Sequence, residues 1–523
     1  MTVRRRRWFA FVLLCTAAAL ASSCASARLK RETLAGLREA DALAARGCHA
    51  CLTDALAICQ RLTPGDATLG ATRDRAVFRV SVLLALREKE LGLGAQPHVD
   101  RARTFADAHG SPADRERLDL ADRLPWRASG QPREAAMQLG LRLAQKNGQI
   151  VARLTSAPAA GSDDPELDAY LNLSLFCTGR FRLQATRTIA SFLPPGEPSL
   201  ILKYRVGACT QTDQIALDEV LAAEPRFRDA LPFIGSIRLA AASRGARTAG
   251  REALDAFTRA HQAFPESAAI TMDLAGLVRV RSPRDALPLY EEVVARVPEH
   301  QDAWFGKALC ESYTGKHDTA VATLTRVLDM GQWLTGDALY WRAWNRHQLK
   351  QLEDAQRDVE RAKTLLYNTD VFGLAGIIAH DREQYDRARP DLERALEASA
   401  RNCAAAWYLG LTNSAQTRWP EASAAFERAA ACYRFDADDG RRSLAAAEKL
   451  EESDGRAEQM ASAQATIDES LRQEALSAYN AAYGLVRANE MSRARPLLEL
   501  ARQHADVRTR ADELLSWVDR PRP

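Results

Sequence analysis

One period governs the middle of this 523-residue chain, where short apolar segments return every 33 to 35 residues. Each segment begins with an alanine, and a large apolar residue follows four positions later. Residues four apart share one face of a helix, so each segment predicts a helix with one small and one large packing residue. The six alanines are spaced by 33, 34, 35, 33 and 34 residues: Ala253, Ala286, Ala320, Ala355, Ala388 and Ala422.

A second helix precedes each alanine and carries a large residue followed closely by a small one. Examples are Trp304 with Ala308, Phe372 with Gly376, and Trp407 with Gly410. Small side chains at a crossing let two helices approach to about 8–10 Å. A single helix pair cannot bury its apolar face alone, so the pairs must stack on one another. No segment alternates in the manner of a β-strand, and glycine and proline separate the helical stretches.

This pattern resembles the tetratricopeptide repeat, a unit of two antiparallel helices. The resemblance implies an all-α fold, namely a right-handed α-solenoid of antiparallel helix pairs, with six repeats at residues 234–434. Arg342 and Asp273 stand where that family usually has an apolar residue. Solenoids of this family hold extended peptides or partner helices in a concave groove. The resemblance therefore implies a protein-binding scaffold that is not an enzyme.

Breaks in the pattern divide the rest of the chain. Residues 1–23 are predicted to be a signal peptide, and residues 24–160 a helical segment with one degenerate helix pair. The linker Thr155–Pro165 precedes further degenerate pairs at residues 166–233. The turn-rich stretch Arg434–Gly440 predicts a second break, followed by a short acidic helix, Arg441–Glu452. Residues 435–523 are expected to end in one more helix pair and a capping helix.

The first residues have the order of a secretory signal, because four arginines precede a mostly apolar run of fourteen residues, Trp8–Ala21. Such a run is shorter than the about 20 residues that cross a bilayer. The ending Leu20–Cys24 resembles the lipobox of bacterial lipoproteins, and Ala25 after the cysteine implies the outer membrane. We therefore expect lipidation at Cys24 and an outer-membrane lipoprotein that faces the periplasm. Ordinary cleavage, which would give a soluble periplasmic or secreted protein, is the alternative.

Charge and motifs exclude several classes of function. The chain has 71 basic and 68 acidic residues, and no segment beyond the signal concentrates positive charge, so a nucleic-acid partner is not expected. The sequence holds no nucleophile elbow, zinc-protease helix or phosphate loop. We expect no catalytic residue, no cofactor and no small-molecule substrate. An enzyme domain hidden in the N-terminal helical segment is kept as an alternative, because catalytic constellations form in space.

Three cysteines and a histidine fall within one stretch, GCHACLTDALAIC, at residues 47–59. Cys48, Cys51 and Cys59 are three and eight residues apart, which predicts one shared helix face. Neither a fourth zinc ligand nor the histidine of a haem attachment is present. We favour buried packing residues, with a disulfide in an oxidising compartment or a metal site as alternatives. The other helical cysteines are also expected to be packing residues: Cys177, Cys209, Cys310, Cys403 and Cys432.

Two further patterns suggest metal sites only weakly. Asp436–Gly440 is similar to the start of a calcium loop, but its glycine comes one residue early, so we expect a turn and a helix start. His347 and His380 lie 33 residues apart in equivalent positions. Two imidazoles alone are a poor ligand set, so we expect both to line the groove without a metal.

Aromatic residues supply the candidate binding site. Six of the nine tryptophans lie between Trp304 and Trp419. Trp304 is expected in the core, whereas residues beside the packing stripe of each first helix should line the concave groove. Each exposed aromatic residue there would contribute about 2 kcal/mol or more to a partner. A structural envelope spacer, the remaining alternative, would show small and charged residues instead. The predicted groove residues are Phe305, Tyr340, Trp341, Trp344, His347, His380, Trp407 and Tyr408.

Overall fold

A computed structural model describes residues 27–123, 162–177, 193–210, 214–244, 248–331, 333–366, 369–449 and 454–520. All regular elements within these ranges are helices, which confirms the predicted all-α fold. The chain forms two compact units, Met1–Cys310 and Glu311–Pro523. The predicted signal peptide and Cys24 lie outside the described residues.

The first unit begins with helices that carry no clear repeat in the sequence. Helix α3 packs against α2, α4 and α5, and α7 packs against α6 and α8. The helices are α1 (27–46), α2 (His49–Arg61), α3 (Ala67–Leu91), α4 (Gln96–His109), α5 (Pro112–Arg123), α6 (Pro165–Cys177), α7 (Leu200–Thr210) and α8 (Gln214–Ala223).

Six successive helix pairs follow along the chain, and the pairs inside each unit stack on one another as the predicted solenoid of tetratricopeptide-like units requires. The first two pairs lie within the first unit and the last three within the second. In each of these five pairs the two helices pack on each other. The pairs are α9 (Leu231–Ala242) with α10 (Ala249–Ala263), α11 (Ala268–Arg281) with α12 (Pro283–Arg296), α13 (Gln301–Tyr313) with α14 (His317–Asp329), α15 (Thr335–Gln348) with α16 (Leu352–Leu365), α17 (Thr369–Asp381) with α18 (Tyr385–Ala398), and α19 (Cys403–Ala415) with α20 (Trp419–Ala447).

Small residues stand at the helix crossings, as the period predicts. The leading alanines of the last three pairs, Ala355, Ala388 and Ala422, are fully buried. A Cβ atom added at Gly376 would lie 2.5 Å from Cγ of Leu392, and one at Gly410 would lie 2.6 Å from Cδ1 of Phe426. Both distances are far below a normal carbon–carbon contact, so only glycine permits these close approaches.

The turn between the two helices of a pair has one repeated geometry. At the end of α15, the amide of Gln351 donates a hydrogen bond to the carbonyl of Arg346 at 2.8 Å. This is the six-to-one hydrogen bond of a Schellman motif. This motif needs a left-handed residue just after the helix. That residue is Gly315 in one unit, but Lys350, Glu383 and Thr417 in the next three, with φ between 58° and 60° in those three.

The predicted break at Arg434–Gly440 is wrong, because α20 runs unbroken through it. Helix α20 pairs with α21 (Asp454–Arg487) in a long hairpin that buries Ala437. A Cβ atom at Gly440 would lie 2.9 Å from Cγ1 of Ile467, so this glycine serves close helix packing and does not form a turn. The aspartates of the stretch therefore do not form a calcium loop.

The C-terminal helices α22 (Met491–Ala501) and α23 (Ala505–Val518) follow α21, and the last of them occupies the predicted capping position. Ala494, Leu498 and Ala501 of α22 are fully buried, in the pattern that the sequence predicts for one more packed helix. Across the described ranges, we find no helix with the length and apolar character needed to cross a membrane.

Candidate functional site

The cysteine stretch near the start contains a disulfide and a helix cap. Cys48 and Cys51 are bonded, with Cα atoms 4.9 Å apart, so the prediction that they are unpaired packing residues is wrong. Cys48 does not share a helix face with Cys51, because it precedes α2 in extended conformation and its sulfur accepts a hydrogen bond from the Cys51 amide. Cys59 is unpaired and buried, and burial raises the pKa of its thiol to about 11.

A second disulfide joins Cys403, at the start of α19, to Cys432 in α20. These two residues are therefore also not simple packing residues, whereas Cys310 forms no disulfide and is buried as predicted. Asp436 lies with Cys403 and Cys432 in a group compact enough to hold a metal ion. The bonded sulfurs cannot act as thiolate ligands, so this group is not a metal site in its disulfide form. The side chains of Cys177 and Cys209 lie outside the described part of the chain.

The first unit buries a charged network that the sequence analysis missed. Arg87 donates to Glu90 at 3.0 Å and to the carbonyl of Gly47 at 2.9 Å. Glu90 also accepts from the hydroxyl groups of Tyr170 and Tyr204, at 2.7 and 2.9 Å. An Arg–Glu pair three residues apart, directly after the mostly apolar run Val80–Leu86, was the available signal. These hydrogen bonds fit a structural tie between α3, α6 and α7.

Asp229 completes this network beside the first disulfide. Its carboxylate accepts a hydrogen bond from the His49 amide at 2.7 Å and lies 3.9 Å from Nε of Arg87. Complete burial raises the pKa of Asp229, although the charge of Arg87 opposes that rise. The network thus links the start of α2 to the segment that precedes α9.

In the second unit, the first helices of three pairs form one continuous surface, because α15 contacts α17 and α17 contacts α19. Six positions on one side of each helix recur at spacings of 33 and 34 residues. We call these eighteen positions the first-helix face. They are Asp337, Tyr340, Trp341, Trp344, His347 and Gln348 on α15, Asp370, Gly373, Leu374, Ile377, His380 and Asp381 on α17, and Ala404, Trp407, Tyr408, Leu411, Ser414 and Ala415 on α19.

Four aromatic side chains cluster at one end of the first-helix face. The ring centroid of Trp341 lies 5.4 Å from that of Tyr313 and 5.7 Å from those of Tyr340 and Trp344, in edge-to-face arrangements. Both tryptophans are half-buried, and Tyr313 keeps 55% of its surface exposed. His317 contacts the ring of Trp344 from outside the face. The helices thus support these rings and leave part of each ring surface open.

The two predicted groove histidines bond to neighbouring repeats and do not approach each other as ligands. Nε2 of His347 lies 2.8 Å from a carboxylate oxygen of Asp381, and Nδ1 of His380 lies 3.0 Å from the hydroxyl of Thr412. Burial lowers the pKa of His380. His347 is only 8% exposed, because it spans the contact between two pairs, so it is less accessible than the groove prediction requires.

The remaining predicted groove residues are half-buried. Trp407 packs on Phe426 of its own pair, with centroids 5.2 Å apart, and Tyr408 meets the edge of His380 at 5.4 Å. Phe305 belongs to the first unit, and the neighbouring Trp304 packs against that unit's core as expected. Trp341 and Trp344 are therefore the strongest candidate contacts, and Trp407 acts partly as a packing residue.

The charge on the first-helix face is one-sided. Among its eighteen positions are three aspartates and no lysine or arginine. Asp381 is bonded to His347, and Nζ of Lys350 lies 4.0 Å away at the edge of the face. Burial raises the pKa of Asp337, for which the described residues offer no cation at ion-pair distance. Sequence analysis selected the aromatic residues here but missed this carboxylate.

Comparison with known protein families finds a match for part of the chain. The tetratricopeptide-repeat family model matches residues 276–332 and 374–438, which make up less than a quarter of the chain. No curated protein sequence matches this chain. The described repeat face therefore has to be interpreted from its own residues.

Solved structures similar to this chain include two that are described as tetratricopeptide repeat proteins. YrrB, described as a TPR protein with an unusual peptide-binding site, is 21% identical over 34% of this chain and 91% of its own, with a TM-score of 0.29. A tetratricopeptide repeat protein from Parabacteroides merdae is 15% identical over 50% of this chain and 99% of its own, with a TM-score of 0.36. A chain of the Cut9–Hcn1 complex is 14% identical over 98% of this chain and 89% of its own, with a TM-score of 0.40.

Proposed function

We propose that this chain is a non-enzymatic scaffold that holds an extended peptide or a partner segment on the first-helix face. The observation that carries the proposal is the cluster of half-open rings around Trp341 and Trp344. Helices fix these rings before any partner arrives, so binding requires little ordering on this side. Large aromatic residues in partly enclosed positions are the residue types that dominate protein interfaces.

The two alternative functions gain less support. A structural spacer would present small and charged residues on the first-helix face, whereas this face holds five aromatic side chains of tyrosine and tryptophan. For a hidden enzyme domain, residues 27–123 of the N-terminal segment are helices and connecting turns, and the charged network around Arg87 is internally paired. These observations favour a scaffold over either alternative.

Site-specific photo-crosslinking in the native cell tests the scaffold. A benzoylphenylalanine residue replaces Trp341 or Trp344 in the full chain, and adducts are identified by mass spectrometry. Trp517, which is 43% exposed on α23 outside the face, provides the matched control position. We expect the same partner in adducts from positions 341 and 344 and none of that partner at position 517. Absence of adducts at 341 and 344, or equal yield at 517, would contradict the scaffold.

We further propose that the chain is exported and carries a lipid anchor on Cys24, which would hold the scaffold at the outer membrane facing the periplasm. The signal-like first residues support export, and so do the two disulfides among the described residues, since disulfides persist mainly in oxidising compartments. Mass spectrometry of the mature N-terminus provides the test. We expect an acylated cysteine at position 24, and an unmodified start at another residue would contradict lipidation.

A further inference from the structure

The first-helix face combines aromatic rings with uncompensated negative charge at one place. Asp337 lies three and four residues before Tyr340 and Trp341 on α15, so these side chains share one side of the helix. Helical side chains lean toward the N-terminus, which favours approach of the Trp341 ring to the turn that holds Asp337. Trp344, one turn further on, extends the same ring surface.

The carboxylate of Asp337 lies in an environment that disfavours an isolated charge. It is half-buried, and the described residues place no lysine, arginine or histidine at ion-pair distance from it. Partial burial weakens the solvation of a carboxylate, so a cation brought beside it regains electrostatic stabilisation. The carboxylate of Asp381 differs in this respect, because His347 and Lys350 already face it.

Aromatic rings beside a carboxylate form a receptor for one class of side chain. A guanidinium or ammonium group is attracted to the face of tryptophan or tyrosine when it lies within about 6 Å of the ring centroid. The same group can donate hydrogen bonds to a neighbouring carboxylate, and such charge-assisted bonds are stronger than neutral ones. A neutral aliphatic side chain would use the rings but leave Asp337 without a partner.

We infer that the segment bound on the first-helix face carries an arginine or lysine, whose cationic group lies against Trp341 and Trp344 and pairs with Asp337. This inference rests on the proposed scaffold function and specifies the chemistry of its partner. An acidic segment is disfavoured, because all three full charges on the face are negative and like charges oppose binding.

A random dodecapeptide library displayed on phage, selected against the full chain, gives the first test. We expect selected peptides to be enriched in arginine and lysine relative to the unselected library. The best peptide is then synthesised with a fluorescein label, and its affinity is measured by fluorescence anisotropy. Asp337→Asn should weaken binding about tenfold, as loss of a hydrogen bond between charged groups does. Glu397→Gln, which removes one exposed charge from second helix α18, should change affinity less than twofold.

A double-mutant cycle isolates the proposed contact. The arginine of the labelled peptide is replaced by citrulline, which keeps the shape and removes the charge. We expect citrulline to weaken binding about tenfold to the unmodified chain and little to Asp337→Asn, because both changes remove one interaction. Circular dichroism of each variant confirms that the helices remain intact.

The outcomes separate the inference from the proposed function. One outcome is that peptides lose binding to Trp344→Ala but show no enrichment in basic residues, or that the two changes in the double-mutant cycle have additive effects. This outcome contradicts the cationic contact and remains consistent with the scaffold. Peptides whose affinity is unchanged in both Trp341→Ala and Trp344→Ala overturn the scaffold on this face. Recovery of no binding peptide at all overturns both.

Discussion

Two regions of the molecule bring helices together by different means. Near the start of the chain, α3, α6 and α7 meet around a buried network of Arg87, Glu90 and two tyrosines. In the repeats of the second unit, helices meet at alanines and glycines such as Ala388 and Gly410. The first arrangement depends on particular polar partners, and the second on the absence of bulk. A fold can therefore be periodic in one region and held by specific bonds in another.

Charge makes the first region vulnerable to single substitutions. Removing one partner of a buried ion pair leaves the other charge without compensation, which costs about 3–5 kcal/mol. Crossings made of small residues have no single polar partner to lose, and their stability is shared among stacked pairs. The comparison thus predicts a large local effect in the first unit.

Arg87→Met tests that difference most strongly. It removes the guanidinium that pairs with the buried carboxylates of Glu90 and Asp229, and although Arg205 stays 3.4 Å from Glu90, Asp229 loses its ion pair. We therefore expect the free energy of unfolding around α3 to fall by about 3–5 kcal/mol. Hydrogen exchange of peptides from residues 78–91, followed by mass spectrometry across a urea series, measures the change. Arg259→Met removes an exposed pair with Asp255 on α10 and should change exchange little. A loss below about 1 kcal/mol for Arg87→Met would show that the network does not hold this region.

Much of the repeat region could be predicted because its helix crossings recur at a regular interval in the sequence. Ala355, Ala388 and Ala422 are the crossings that the period indicates, and the helix pairs around them follow. The break predicted at Arg434–Gly440 failed because a local preference for turns is weaker than packing of Ala437 and Gly440 against α21. The local composition there favours a loop, but packing against α21, which is distant in the sequence, stabilises a helix.

The candidate site was predictable only in part, for a related reason. Trp341 and Trp344 follow from the register of the repeat, since they lie beside its packing stripe. Asp337 is an ordinary aspartate in the sequence, and its significance depends on which charges surround it in space. The Arg87 network was missed because its partners lie up to 180 residues apart, as His49 and Asp229 do, where no spacing rule connects them.

The two disulfides sharpen the comparison between units. Cys403–Cys432 closes a separation of 29 residues and Cys48–Cys51 one of 3. The entropy of the unfolded chain then gives about 3–4 kcal/mol of stabilisation for the first and about 1.5–2 kcal/mol for the second. We expect replacement of both cysteines by alanine to lower unfolding stability in that order.

Urea unfolding of the two double variants, followed by hydrogen exchange near each disulfide, measures these losses. The unmodified chain treated with a dithiol reductant serves as a control, because its loss near Cys403 should match that of the corresponding variant. Equal losses at both sites would mean that loop length does not determine the effect. In that case the cap that Cys48 provides to α2 would account for the larger share in the first unit.

The smallest effect concerns the left-handed turn of the repeats. Thr417 has φ of 58°, a conformation that costs an L-residue about 1–2 kcal/mol, and its branched Cβ suits that region poorly. Thr417→Gly should therefore stabilise the second unit, although the greater freedom of glycine in the unfolded chain limits the gain to about 1 kcal/mol. Ala415→Gly, two residues earlier at the end of α19, should instead destabilise by about 0.5–1 kcal/mol. If turn geometry controls this position, the unfolding temperature should rise in Thr417→Gly and fall in Ala415→Gly. A fall in both variants would instead show that the Thr417 side chain makes a stabilising contact.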